Sequence, residues 1–411
     1  MGGVSDEVLL ARALLSRIVE PASIRGWDLV RRVGPVEAVA VLRAGGAGKQ
    51  SFAAEQARVA YADPYADLEA AERHGIRLVV PESDEWPHFA FAALEAAGDD
   101  CVQRYLSERG ARQSDSGDPI PPLALWVRGT LDLATVGVRS IAIVGARYAT
   151  EYGVWVARDF AARLAERNFV IVSGGAYGID AAAHRGALSA GENTTVLVSA
   201  GGLDHPYPPG NAGLFEQVAE AGLLVSESPP GCAPRRRRFL TRNRLIAALG
   251  CGTLVVEAAA RSGALNTAGH CRTLQRPLMA VPGPITSPSS AGCHTLIAAE
   301  RAPARLVARV GDILELIGSA GDLATVIADG YPRSRDDELS DRLDALDPAA
   351  RQVFDGFPAR GWVGPDRLAL ASGLAPLDVI RTLPALELCG LIEASAEGYR
   401  IVRPTRTAAR A

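Results

Sequence analysis

Residues 170–180 read Val170-Ile-Val-Ser-Gly-Gly-Ala-Tyr-Gly-Ile-Asp180, and a small-residue stretch carries on to Ala190. A short β-branched run ends in a glycine-rich turn, and the turn opens straight into a helical pattern. Strand Val170–Val172 and helix Gly178–Ala190 thus form one strand–turn–helix unit. Units of this kind recur on both sides. Apolar strands are expected at Ile141–Val144, Thr195–Val198, Leu223–Val225, Thr253–Val256 and Leu278–Val281, with helices such as Val154–Arg167 between them. Short buried strands separated by helices imply an α/β fold, a parallel sheet wound with helices on both faces. In such sheets ligands bind where the carboxyl ends of strands meet helix starts.

Two further strand ends run into small-residue turns. One is Ile141-Ala-Ile-Val-Gly145-Ala-Arg147; the other is Val256-Glu257 followed by Arg261-Ser262-Gly263-Ala264. Glycines let the backbone approach an oxyanion, and the first amides of the next helix point at it. Such turns also serve tight helix–sheet packing, so one alone says little. Here three occur at strand ends, and a dense basic run lies between two of them. Residues 235–244 are Arg235-Arg236-Arg237-Arg238-Phe239-Leu-Thr-Arg242-Asn243-Arg244, in a chain whose formal net charge is −4. Arginine forks pair with phosphates, and a phenylalanine among them offers a face to an unstacked base. The run enters a patterned helix, Arg242 to Leu249, without a break, which weighs against a solvated surface run or a nuclear-type address. For the phenylalanine the bland alternative is a core position.

Two motifs are decoys. Gly174, Gly175 and Gly178 do not fit G-x-G-x-x-G, and no acidic residue is placed for a ribose. Gly45-Gly46-Ala47-Gly48-Lys49-Gln50 ends in Gly-Lys, but position 43 is arginine where a phosphate loop needs glycine. Gln50 also replaces its metal-binding hydroxyl.

Working outward, residues 5–62 show helical spacing. Residues 76–130 mix strand-like runs, Ile76–Val80 and Leu123–Val127, with a charged helix. Residues 319–345 read as a linker with a charge run, Arg333 to Asp341. Beyond it, helices around Ala349–Phe357, Pro365–Ala371 and Leu377–Leu388 precede strands at Leu391–Ala394 and Gly398–Val402. Three helices and a hairpin are a winged-helix pattern. The third helix offers only Arg381 for base reading, which favours a protein-contact or structural role over duplex reading. No apolar run approaches a membrane span, and the N-terminus lacks a signal-peptide pattern. Six cysteines without a C-x-x-C pair suggest a reducing cytosol.

Taken in order, these segments resemble the DNA-processing protein A family (DprA, also called Smf). The matching stretches are Ile143–Arg147, Ser173–Asp180 with His184, Tyr207-Pro208, Ser226-Glu227 and Phe239–Arg244. They continue through Val256-Glu257, Ser262-Gly263 with Thr267-Ala268, Ala280–Gly283 and Leu296-Ile297. The resemblance implies an extended Rossmann-type core over residues 66–320, a SAM-like helical domain over 1–65, a linker over 321–345 and a winged-helix-like domain over 346–411. It also implies a non-enzymatic, cytoplasmic, dimer-forming binder of single-stranded DNA that protects incoming DNA and loads the RecA recombinase onto it, with no cofactor, metal or membrane. DNA contact falls on Arg147, Gly174, Gly175, Arg235, Arg236, Arg237, Arg238, Phe239, Arg242, Asn243, Arg244, Ser262 and Gly263. Tyr148 and Tyr177 stand where the family commonly has a basic residue. The four-arginine run could compensate, and the tyrosines could stack on bases.

Other residues admit bland and functional readings. Asp180 and His184 share a helix face; capping and packing are the expectation, acid–base chemistry the alternative. Glu257 is expected to hold Arg242 or Arg244 in place, and Asn243 to fix its loop. His270-Cys271 and Cys293-His294 match no familiar zinc spacing. The rival function is a Rossmann-like enzyme acting on nucleoside monophosphates, with Glu257 as base beside Ser262-Gly263. A third reading is a sequence-specific duplex reader.

Overall fold

The computed structural model describes residues 4–44, 52–107, 118–319, 321–322 and 342–402. The glycine-rich turn at 45–50 and the charge run at 333–341 lie outside the described residues. The chain divides into two compact units, Met1–Ile327 and Ala328–Ala411.

The first unit is built on a nine-stranded sheet. Its strands are β1 (Arg77–Val79), β2 (Leu125–Gly129), β3 (Ser140–Val144), β4 (Val170–Gly174), β5 (Thr195–Val198), β6 (Leu223–Ser226), β7 (Thr253–Val255), β8 (Leu278–Ala280) and β9 (Arg305–Leu306). Their spatial order is β1-β2-β6-β5-β4-β3-β7-β8-β9. β3 to β9 are all parallel, and β2 and β1 extend one edge antiparallel. The six central strands fall within a few residues of the positions expected from the sequence. The chain winds outward from β3 through β4, β5 and β6, then returns to place β7 on the other side of β3. Between β3 and β7 the winding direction reverses, and a crevice opens there at the carboxyl ends.

The core explains the winding. Along β3, Ile141 and Ile143 join one apolar cluster with Val156, Phe160, Leu164 and Ile179, from the helices on that face. Ala142 and Val144 point the other way, into a cluster with Leu245, Ile246, Leu249 and Ala268. Both faces are dry, so the strands read as continuous apolar runs rather than alternating ones. Each fully buried aliphatic side chain contributes roughly 1.5–3 kcal/mol. The N-terminal helices are joined to the sheet by polar contacts. Arg12 holds Glu82 at 2.6 Å, and the Trp126 indole donates to Ser16 at 3.1 Å.

The second unit contains helices Pro348–Asp355, Pro365–Ser372 and Pro376–Leu388, then an antiparallel hairpin of β10 (Ile392–Ser395) and β11 (Gly398–Ile401). Val353, Leu368, Val379, Leu383 and Leu391 form its core. Gly373 ends the second helix at φ 71°, a left-handed conformation that glycine adopts without strain. Among the described residues no single helix is long and apolar enough to cross a membrane.

Candidate nucleic-acid interface

Helix Arg236–Leu249 begins inside the arginine run. The sequence pattern placed its start six residues later, at Arg242. The difference decides which arginines meet. Successive helical residues turn by 100°, so side chains two apart face different ways. Phe239, Arg242, Asn243 and Ile246 share one face and line the crevice. Arg244 faces the interior.

Arg244 is 0% exposed, and its guanidinium makes two 2.6 Å bonds to the Glu227 carboxylate. It is therefore not an open phosphate fork, and that expectation is corrected. Its partner is also not the one expected. The Glu257 carboxylate instead accepts from the Thr150 amide at 2.9 Å and the Thr150 hydroxyl at 2.5 Å, at the start of helix Glu151–Ala165. Glu257 follows β7, the neighbour of β3, so the helix after β3 is what it reaches. With both oxygens engaged and the side chain buried, it is not posed as the base the enzyme reading required.

Arg242 is the buried floor of the site. It is 8% exposed and donates to the Val198 carbonyl at the end of β5. Burial pulls its guanidinium down to about 10, Arg147 adds to this, and Asp180 opposes it. It remains a cation at neutral pH. Asp180 accepts from the Ala176 and Gly145 amides, so it ties together the turns after β3 and β4; its burial raises its pKa against the pull of Arg242. His184 bridges the Thr195 hydroxyl at 2.7 Å and the Gly174 carbonyl at 3.0 Å, and burial lowers it to about 4. Both residues are structural supports of the turns.

Around Arg242 stand the aromatics. Arg147 is exposed and lies over the Phe239 ring, 5.4 Å from its centroid. Tyr207 also meets Phe239, at 5.5 Å between ring centroids. Phe239, Arg147, Tyr148 and Arg242 border two adjoining cavities. One, of about 380 Å³, spreads over the turns after β3 and β7, reaching Ser262 and Gly263. The other, of about 370 Å³, spreads over the turns after β4 and β5 and is walled by Tyr177, Tyr207 and Gly175. Gly174 lies behind Arg242 rather than in the wall. Asn243 donates to the Asn266 side chain at 3.0 Å, which pins the helix to the first turn of helix Ala264–Thr273, beyond β7.

The rest of the basic run divides. Arg235, Arg236 and Arg237 are exposed at the helix start. Arg238 turns toward the N-terminal helices and pairs with Glu20 at 3.1 Å; Arg235 lies 3.9 Å from the same carboxylate, and Arg58 lies 3.0 Å away. Cations at a helix N-terminus oppose the macrodipole, and no acidic residue stands in this first turn. Glu20 offsets part of that charge. Nothing near residue 235 signals this partner, which lies over 200 positions away in sequence. The histidine–cysteine pairs are scattered among local bonds. His294 meets the Gly283 carbonyl at 3.0 Å, and the Cys271 thiol donates to the Arg276 carbonyl at 3.3 Å.

Fold and site together define an extended Rossmann-type α/β protein whose crevice is edged by arginines and aromatic rings. A family model described as DNA recombination-mediator protein A matches residues 112–318. A putative DNA processing protein DprA from Mycobacterium tuberculosis is 46% identical over 398 residues, covering 97% of this chain and 95% of the relative. The DNA processing protein DprA of Bacillus subtilis is 38% identical over 177 residues, 43% of this chain and 59% of that protein. The X-ray structure of DNA processing protein A from Streptococcus pneumoniae matches with a TM-score of 0.56 at 27% identity, covering 76% of this chain and 98% of that one. The chain belongs to the DNA-processing protein A family, and its role is in DNA processing.

Proposed function

We propose that the crevice binds single-stranded DNA. The observation that carries this reading is the trio of Arg147, Phe239 and Arg242. One exposed cation lies over the ring, and a second, buried one lines the same two cavities. Phosphates lie along Arg147, the Ser262-Gly263 turn and the exposed Arg235 to Arg237. Bases enter the aromatic-walled cavity, which is large enough for one ring system and would be inaccessible to a base still paired in a duplex. Such binding reads no sequence and weakens with salt.

The same reading takes the protein as a cytoplasmic, non-catalytic homodimer that protects incoming DNA and loads the RecA recombinase onto it in natural transformation and recombination. Family membership is what supports these further steps. A gel-shift competition tests the binding: unlabelled single strands should displace a labelled strand at far lower concentration than duplex of equal length. Equal competition contradicts it. RecA ATPase on a strand precoated with single-strand-binding protein should rise on addition of this chain, and no rise would remove the loading step.

A further inference from the structure

The solvent face of helix Glu151–Ala165 is unusual. Gly153, Val156, Ala157, Phe160, Ala161 and Leu164 bury one side of it. At 100° per residue, Trp155 then stands near the centre of the opposite side. It is 63% exposed. Three residues earlier Tyr152 is also exposed, and its hydroxyl donates to the Pro282 carbonyl at 3.0 Å. Two residues before the helix cap Thr150, Tyr148 is 97% exposed. Tyr148 borders both cavities of the crevice. The three rings therefore lead outward from a site already lined with aromatics, and Tyr152 and Trp155 are about 4.5 Å apart along the helix axis.

Charge continues the same way. Arg158 follows Trp155 by one turn. Helix Ile179–Ala190 touches the Arg158 backbone at Gly186, so Arg185, one residue earlier, stands on the neighbouring helix at the same level. Both arginines are exposed, and neither has an ion pair among the described residues. Asp159 pairs with Arg163, and of the other carboxylates near the rings Glu151 is exposed while Glu257 is buried and held by Thr150. Tyr152, Val154 and Trp155 together leave a contiguous apolar patch in water, and such patches mark a surface that something covers. Continuity with the crevice through Tyr148, and two cations beyond it, fit an unpaired polynucleotide.

We propose that the strand leaves the crevice past Tyr148 and continues over Tyr152 and Trp155, which form a second, outer stacking site, with Arg158 and Arg185 taking the phosphates beyond. This rests on the single-stranded DNA reading above and lengthens its footprint. The test uses the full chain with oligothymidines of about 6 and about 16 nucleotides, within the range of site sizes of such binders. Trp155→Ala should weaken the longer strand roughly tenfold and leave the shorter one unchanged. Trp155→Phe, which keeps a ring, should restore most of the loss. Because Trp155 is on the solvent face, circular dichroism and melting should match the parent. Equal affinities of parent and Trp155→Ala at both lengths would overturn the outer site, and so would an equal loss at both lengths. Binding of neither strand by the parent protein is a different failure: it removes the single-stranded DNA reading and this extension with it.

Discussion

The guanidinium of Arg242 lies against Gly174, so closely that a Cβ there would stand 2.6 Å from both terminal nitrogens and from the Asp180 carboxylate. Glycine at this position makes the room in which a buried cation can sit behind the strand-end turns. Arg242 in turn holds the end of β5 through the Val198 carbonyl. The floor of the crevice is thus set by a residue with no side chain.

Gly174→Ala should displace the guanidinium and its carboxylate neighbour. An added methyl in a filled interior costs about 1–3 kcal/mol. The substitution should lower the unfolding free energy by that amount and weaken single-strand affinity by at least about tenfold at moderate salt, as a charge-assisted bond is lost. Denaturant titration and fluorescence anisotropy check the two effects separately.

Glu20 draws Arg238, and more distantly Arg235, away from the strand path. Glu20→Gln should therefore tighten binding at low salt. The plot of log affinity against log salt should steepen by about 0.7 for each arginine released to a phosphate. Weaker binding in this variant would mean that the carboxylate positions the arginines productively.

Arg244 and Arg236 are eight residues apart on one helix and should behave in opposite ways. Arg244→Ala leaves the largely buried Glu227 carboxylate without its partner and should cost about 3–5 kcal/mol of stability. Arg236→Ala touches only solvent at the helix start, should be near neutral for stability, and should reduce the salt slope of binding.

His184 gives the unit an acid limit. Its folded-state value of about 4 lies below the ordinary 6.5. Between these two values the unfolded chain binds a proton that the folded chain refuses, so stability rises with pH there. The contribution is complete above pH 6.5 and is lost as pH falls toward 4, amounting to about 3 kcal/mol. His184→Gln should flatten this part of the stability–pH profile, measured by urea unfolding at several pH values.

The parallel core was legible because both faces of each central strand are buried, which leaves short apolar runs between helices. β9 was not legible: Arg305 and Leu306 are both exposed and form a two-residue edge. The turns after β3, β4 and β7 are neighbours because the sheet places β4 and β7 on either side of β3, an order that the sequence does not display. The arginine run misled where the helix start was placed too late. A helix beginning at Arg236 rather than Arg242 puts Arg244 inside and Phe239 beside Arg147, as its periodicity requires. Glu227 and Glu20 were invisible as partners because a long-range ion pair leaves no local pattern.

The central claim is a crevice that grips an unpaired strand through Arg147, Phe239 and Arg242. Its most direct test is an anisotropy titration of a labelled oligothymidine against the full chain and its Phe239→Ala variant, across a series of salt concentrations. Binding should fall linearly in log–log form for both proteins, with the same slope, and the variant should lie lower by a factor equivalent to about 1–3 kcal/mol, the worth of one stacked base. Coincident curves for the two proteins, or affinity indifferent to salt, would contradict it.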